Sequence, residues 1–254
     1  MKVYPIALNT FREAIRDRIL YLLLFFALLM IFTSRIASLL TVGEESKIII
    51  DVGLSAISFF GVLMAILIGI TLVSREIEKR TIYNILSKPI RRYQFLLGKY
   101  GGLLLTILIM DFIMTLGLLL TLYFKSGRFE LHLLLAMGLF FCELFIITAF
   151  AIFFSTFTTP ILSSIFTLAI YAVGHLSWNL LALKERIASF WGKALCFMLY
   201  YLLPNLENFN IKNEVVHQLT IGWKTVLLAI GYGISYSVVI ILLATLIFQR
   251  RDFV

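Results

Sequence analysis

Residues 52–73, with the sequence VGLSAISFFGVLMAILIGITLV, carry no charged side chain. A helix needs about 20 mostly apolar residues to cross the hydrocarbon core of a bilayer, and this stretch is long enough to do so. The full chain has 254 residues, of which 61% are hydrophobic and 14% are charged, whereas a soluble domain is only about half apolar. The sequence therefore predicts an all-α polytopic membrane protein.

Comparable apolar stretches lie on both sides of this one, at residues 19–40, 96–124, 131–157, 161–183 and 225–248. Together they predict six transmembrane helices in a single transmembrane domain that covers residues 1–254. The run at 187–203 is also apolar and rich in aromatic residues, but it is at the short limit for a span. It is either a seventh span or a re-entrant segment, and its short length favours six spans.

The distribution of basic residues predicts the orientation of these spans. If the N-terminus is cytoplasmic, most of the 22 Lys and Arg residues lie in cytoplasmic segments, whether there are six spans or seven. With six spans the C-terminus is cytoplasmic as well. A net charge of +8 is then explained by basic loops that face anionic lipid headgroups. We therefore expect membrane lipid, and no nucleic acid, among the partners.

The first eighteen residues have the pattern of an amphipathic helix. Leu8, Phe11, Ile15 and Ile19 recur at helical spacing, and charged residues occupy the other face. Such a helix lies along the membrane interface. We predict an interfacial helix over residues 1–18, and the alternative is a charged lead-in to the first span.

Sequence motifs of enzymes and of nucleotide-binding proteins are missing from this chain. It contains no G-x-x-x-x-G-K-[ST] loop, no H-E-x-x-H and no G-x-S-x-G. Cys142 and Cys196 have neither metal-site spacing nor a disulfide framework. His175 is the one histidine well inside a span, and we expect it to make a polar contact. The sequence therefore predicts no catalytic residue, no cofactor and no metal site in this chain.

Two acidic residues, Asp111 and Glu143, lie near the middle of predicted spans. An ionised carboxylate at that depth costs at least about 2.5 kcal/mol, so each is expected to be protonated or bonded to a neighbour. One interpretation is a proton relay or the lining of a transport pathway. The favoured interpretation is hydrogen bonding between helices, with Thr115 near Asp111 and Thr148 near Glu143. It is favoured because no basic residue is expected at the same depth.

A polar segment separates the second and third spans, at residues 74–99, with the sequence SREIEKRTIYNILSKPIRRYQFLLGK. Residues 75–86 can form a short helix, which Pro89 ends because proline disfavours helix in the residue before it. A second helical run then enters the third span. This arrangement lies across the cytoplasmic mouth of the two spans, and the alternative is an ordinary basic loop bound to lipid headgroups.

The order of residues in this segment resembles the cytoplasmic signature of ABC-2 type transporter permeases. The matching residues are Glu76, Glu78, Thr81, Leu86, Pro89, Arg92, Leu97, Gly98 and Lys99. Arg80 stands where the family often has glycine, so the local turn there departs from the pattern. Residues 248–253, FQRRDF, resemble the family's F-x-R-R-D-F ending. The resemblance covers essentially the full length and is greatest to the branch that includes the nitrous-oxide-reductase maturation permeases.

The resemblance implies a permease that contains no nucleotide site. Such permeases pair with a second copy, here expected as a homodimer, and with separate ATP-binding subunits that hold ATP and Mg²⁺. Residues 74–99 would be the coupling segment and residues 184–224 an outer re-entrant segment. The implied location is the prokaryotic plasma membrane, and the implied activity is ATP-driven export.

The resemblance also suggests roles for individual coupling residues. Glu76 and Glu78 would engage the ATPase together with Thr81. Pro89 would set the break in the segment, and Arg92 would anchor the helix end.

Two other functions are open from the residues alone. The chain could be a membrane anchor or assembly factor that does not transport, with the basic segment as its docking surface. It could instead be a proton-coupled secondary transporter that uses Asp111 or Glu143 and needs no ATPase.

Overall fold

The computed structural model of the chain describes residues 3–39, 44–78, 91–127, 132–186, 189, 191–193, 198, 200, 202–217, 219 and 222–250. These residues form helices joined by turns, and the described part contains no strand. Six of its helices are long and apolar enough to cross a membrane. The prediction of an all-α protein with six membrane-spanning helices is therefore confirmed.

The six long helices are α2 (Arg18–Ser38), α3 (Glu45–Glu78), α4 (Arg92–Ser126), α5 (His132–Ser155), α6 (Pro160–Arg186) and α8 (Trp223–Arg250). A shorter helix, α1 (Val3–Ile15), precedes them. A 3₁₀ helix (Leu206–Phe209) and a short α7 (Lys212–Val216) lie between α6 and α8. Much of the run at 187–203 lies outside the described residues.

Local chemistry explains where several helices begin and end. Asp17 caps α2 by accepting a hydrogen bond from the N–H of Ile19 at 3.0 Å, since the first N–H groups of a helix have no partner within it. Gly127, with φ of 67°, ends α4 in the left-handed conformation that glycine adopts easily. Pro160 stands at the first position of α6, where its missing N–H costs nothing.

Two predicted boundaries differ from the observed ones. The N-terminal helix ends at Ile15, so Ile19 belongs to α2 and does not continue the face of α1, because Asp17 starts a new helix. The short helix expected from Arg75 does not begin there, because α3 continues unbroken to Glu78. Residues 79–90, which include Thr81 and Pro89, lie outside the described residues.

The bundle is built around α3 and α5. Of the membrane-spanning parts, 78% of α3 and 72% of α5 are buried, against 22% of α2 and 33% of α8. The outer helices α2, α6 and α8 expose large apolar side chains, as lipid-facing or partner-facing helices do. We call the end that holds α1, the start of α4 and the end of α8 the α1 end, and the other the opposite end.

Candidate functional site

At the α1 end, α1 packs closely against the first turns of α4. A Cβ built on Gly98 would stand 2.6 Å from the side chain of Ile6, and one on Gly102 would overlap the carbonyl oxygen of Ala7. Glycine at these two positions therefore lets the helices approach backbone to backbone. Thr10 and Ala14, on the same side of α1, are buried.

Lys99 is buried within this contact. The residue is 1% exposed, and its Nζ lies 3.4 Å from Oε2 of Glu13, whose side chain is 39% exposed. The same Nζ lies 5.9 Å from the ring centroid of Phe95, within the range of a cation–π contact. The ammonium group is thus held between a carboxylate of α1 and an aromatic ring of its own helix.

Arg92 connects the start of α4 to the end of α8. Its Nη1 donates hydrogen bonds to the carbonyl oxygens of Phe248 at 2.8 Å and Gln249 at 2.9 Å. The last carbonyls of a helix lack partners within it and carry partial negative charge, so a guanidinium group there is favourable. The rings of Phe95 and Phe248 stack alongside, with centroids 6.0 Å apart.

These contacts bring together the two segments on which the resemblance was based. Arg92 and Lys99 come from the segment at 74–99, and Phe248 and Gln249 begin the C-terminal pattern. Of the other coupling residues, Glu76 and Glu78 lie on the last turn of α3, and their side chains are outside the described set. Arg92 is directed toward the protein's own α8.

A second group of titratable side chains lies where α5, α6 and the 3₁₀ helix meet. Oε1 of Glu143 is 2.9 Å from Nε2 of His175, and the other ring nitrogen, Nδ1, is 3.3 Å from Oε2 of Glu207. Glu143 lies about 16 Å along α5 from its start, which is about half of a 30 Å hydrocarbon core. We call Glu143, His175 and Glu207 the carboxyl–imidazole chain.

The carboxyl–imidazole chain differs from the pairing expected from the sequence. Thr148 does not bond to the carboxylate of Glu143 but donates to the carbonyl oxygen of Leu144 at 2.7 Å. The expectation that no basic residue shares the depth of Glu143 is wrong, because His175 contacts it directly. His175 does make the polar contact that we expected.

Asp111, the other acid inside a span, is buried without the expected side-chain contact. The residue is 5% exposed, and within the described residues its Oδ1 has no hydrogen-bond partner. Thr115 donates to the main-chain carbonyl oxygen of Asp111 at 2.7 Å and not to its carboxyl group. The expected Thr115 contact therefore satisfies the backbone only.

A cavity of about 160 Å³ adjoins the carboxyl–imidazole chain. Its polar wall consists of Ser58, Glu143, Tyr171, His175, Asn210 and Lys212, and its apolar wall includes Leu54, Met137, Phe140 and Phe209. Burial lowers the pKa of Lys212, against the opposing effect of the carboxylates of Glu143, Asp51 and Glu207. The cavity is large enough for several water molecules or a small chemical group.

Glu207 and Lys212 were not singled out from the sequence, in which Glu143 and His175 were the residues that indicated this site. Both residues come from the connection between α6 and α8, whose position depends on packing. Leu206 packs on Gly174, where a built Cβ would stand 2.7 Å from its Cδ1. This packing carries Glu207 to the imidazole.

The family model described as ABC-2 family transporter protein matches residues 4–253 of this chain. The chain belongs to the ABC-2 family of transporter proteins. No curated protein matches it. This ABC-2 protein is a multi-pass membrane protein, and its family supplies the membrane component of ABC transporters. Members of the family generally work with an ABC ATP-binding subunit.

Proposed function

We propose that this permease is the membrane subunit of an ATP-driven exporter that takes its energy from a separate ABC ATP-binding subunit. The family match over residues 4–253 carries the proposal, because such a subunit generally accompanies members of the family. ATP and Mg²⁺ bind to the ATPase, and this chain contributes no catalytic residue.

The coupling segment at 74–99 is the proposed docking surface for the ATPase. Glu76, Glu78 and Thr81 engage the ATPase, Pro89 sets the break, and Arg92 anchors the helix end. Two contacts support this assignment, since Arg92 joins α4 to α8 and Lys99 joins α4 to α1. A movement of the start of α4 therefore reaches both α8 and α1.

The proposed setting is the prokaryotic plasma membrane, with the α1 end and both termini in the cytoplasm. A second copy of the chain completes the transport path, and the exposed apolar faces of α2, α6 and α8 are available to lipid and to that copy. Residues 184–224 form an outer re-entrant segment. In support, Phe209 packs against Gly233, about 15 Å along α8 from its start.

The test is co-expression with the candidate ATPase, followed by affinity purification and measurement of ATP hydrolysis in lipid. We expect Glu78→Lys to abolish assembly or to uncouple ATP hydrolysis from transport, since it reverses the charge at the proposed contact. Glu44→Lys is the matched control, because Glu44 is an exposed acid at the opposite end and its reversal leaves the docking surface intact.

Normal assembly, ATP hydrolysis and transport with Glu78→Lys would contradict the proposed docking surface. Failure of the wild-type chain to bind any ATPase would favour a membrane anchor. Transport that survives ATP depletion but requires a proton gradient would favour a secondary transporter.

A further inference from the structure

The carboxyl–imidazole chain can be examined by counting its protons. A neutral imidazole has one N–H and one acceptor nitrogen, whereas an ionised carboxylate only accepts hydrogen bonds. His175 contacts one carboxyl group through each ring nitrogen. Both contacts are hydrogen bonds only if the three groups share at least two protons, either as imidazolium with two carboxylates or as neutral imidazole with one carboxylic acid.

Loss of one of these two protons must break one contact. The three groups then consist of a neutral imidazole and two carboxylates, and one acceptor nitrogen faces an acceptor oxygen. Burying a carboxylate without a hydrogen bond is far more costly than exposing it to water. The side chain of Glu143 is 3% exposed and that of Glu207 is 42% exposed, so His175 keeps its N–H on Glu143. Oε2 of Glu207 then turns to water, while its Oε1 keeps the hydrogen bond that Asn210 Nδ2 donates at 3.0 Å.

The contact that breaks lies between two open spaces. The cavity of about 160 Å³ is lined by Glu143 and His175, and a cleft of about 620 Å³ is lined by Glu207. Asn210 and Ile211 line both spaces. The His175–Glu207 contact therefore stands at the boundary between the cleft and the cavity.

We propose that Glu143, His175 and Glu207 form a proton-binding site that closes the boundary between the cleft and the cavity, and that loss of one proton opens it. The ligand is a single hydrogen ion, and the moving part is the Glu207 turn of the 3₁₀ helix Leu206–Phe209, while the buried side chains of Leu206 and Phe209 stay in place. Asn205 keeps that helix attached, because its N–H donates to Tyr232 Oη at 2.9 Å and its Oδ1 accepts from Ser177 Oγ at 3.0 Å.

Other charged and titratable groups face this site from the surrounding elements. Lys212 of α7 and Tyr171 of α6 line the cavity. Burial lowers the pKa of Lys212, and the carboxylate of Asp51, on α3, raises it by favouring the charged form. The ammonium group of Lys212 partly offsets the net negative charge that the three groups carry with two protons. The proposal assigns the exchanged proton to His175 and its two carboxyl partners, because these three groups contact one another directly.

The experiment measures hydrogen exchange in residues 205–211 of the full chain in lipid nanodiscs, without an ATPase. Protection factors are compared between about pH 5 and 8, the range in which histidine titrates. The N–H groups of Glu207 and Asn210 are hydrogen-bonded to Asn205 Oδ1 and to the carbonyl oxygen of Glu207. We expect their protection to fall as pH rises, by at most tenfold per pH unit because a single proton is linked.

Three variants test whether the pH dependence of amide protection comes from the proton shared by the carboxyl–imidazole chain. Glu143→Gln and Glu207→Gln supply a permanent donor to the imidazole, so each should keep high protection at every pH. Glu207→Ala removes the contact, so it should show low protection at every pH. Glu214→Gln is the matched control, because Glu214 lines the cleft but lies outside the carboxyl–imidazole chain. It should follow the wild-type profile.

A flat wild-type profile would overturn the proposal, whatever the variants do. A Glu143→Gln protein that keeps the wild-type pH dependence would overturn it as well. Amides of α5 serve as the internal reference for folding, and their protection should stay constant. Since no ATPase is present, either result leaves the proposed coupling to ATP hydrolysis untouched.

Discussion

Arg92 and Lys99 lie at the α1 end of the permease, whereas Glu143 and His175 lie about halfway along α5 and α6. The partners of the first pair are helix-end carbonyls and a carboxylate near the surface, so this pair links α4 to α8 and to α1. The second pair joins a buried carboxyl group to an imidazole that has a second carboxyl partner, and histidine is the side chain best suited to respond to pH. The first pair therefore suits a mechanical link between helices, and the second suits a switch.

The largest expected effect comes from comparing the carboxyl group of Glu143, which contacts His175, with that of Asp111, whose Oδ1 has no hydrogen-bond partner among the described residues. Glu143→Met should lower the free energy of unfolding by about 3 kcal/mol, because His175 loses its buried partner. Asp111→Leu, its matched control, should change it by less than about 1 kcal/mol, since it replaces a carboxyl group whose Oδ1 has no hydrogen-bond partner among the described residues with a side chain of similar shape. Thermal unfolding in detergent measures both, and equal losses would show that the hydrogen bond contributes nothing.

The next effect concerns the contact between α1 and α4. Gly102→Ala should destabilise the permease by about 2 kcal/mol, because its Cβ overlaps the backbone of α1. Gly138→Ala is the control, since nothing lies within 4 Å of its Cβ and alanine favours helix. The same thermal assay compares them, and a neutral Gly102→Ala would mean that α1 is not held in this position.

A smaller effect is expected where α4 meets the end of α8. Arg92→Gln should lower the free energy of unfolding by about 1.5 kcal/mol, which is the low end for hydrogen bonds to a charged group. It should also speed hydrogen exchange in the last turn of α8. Arg91→Gln removes a neighbouring exposed charge and should leave that turn unchanged. If both variants behave alike, the two carbonyl contacts do not hold α8.

The smallest effect is the coupling between Lys99 and Glu13. A double-mutant cycle of Lys99→Met and Glu13→Gln should give a coupling energy of about 1 kcal/mol. The half-exposed carboxylate is partly screened by salt, so the coupling should weaken at high ionic strength. The cycle is measured by thermal unfolding at low and high salt, and strictly additive single effects would rule out a direct ion pair.

Much of the fold was predictable because each span is a local property. A helix in a bilayer needs a long apolar run and satisfies its own backbone hydrogen bonds, so the six runs could be recognised one at a time. The start of α6 at Pro160 and the break before α2 follow from single residues in the same way. The continuation of α3 to Glu78 was missed, because charged residues there resembled the start of a separate helix.

The candidate sites were less predictable, because they join residues far apart in the chain. Arg92 and Phe248 are separated by 156 positions, and no local pattern indicates their contact. Glu143 was recognised as a buried acid, but its partner depends on how α5 and α6 are rotated against each other. Glu207 was missed because the connection that carries it has no periodic pattern of its own.

Hydrophobicity along the chain was enough to predict six long apolar spans, the position of the polar segment at 74–99 and the buried acids Asp111 and Glu143. Helix packing determined that Glu143 acquired a partner. Leu206 packs on Gly174 and brings Glu207 to His175, whereas Asp111 Oδ1 meets no donor in the described part of the chain. Burying a carboxyl group near the middle of a span costs free energy for Asp111 and for Glu143 alike, and only the neighbouring helices can supply its hydrogen bond.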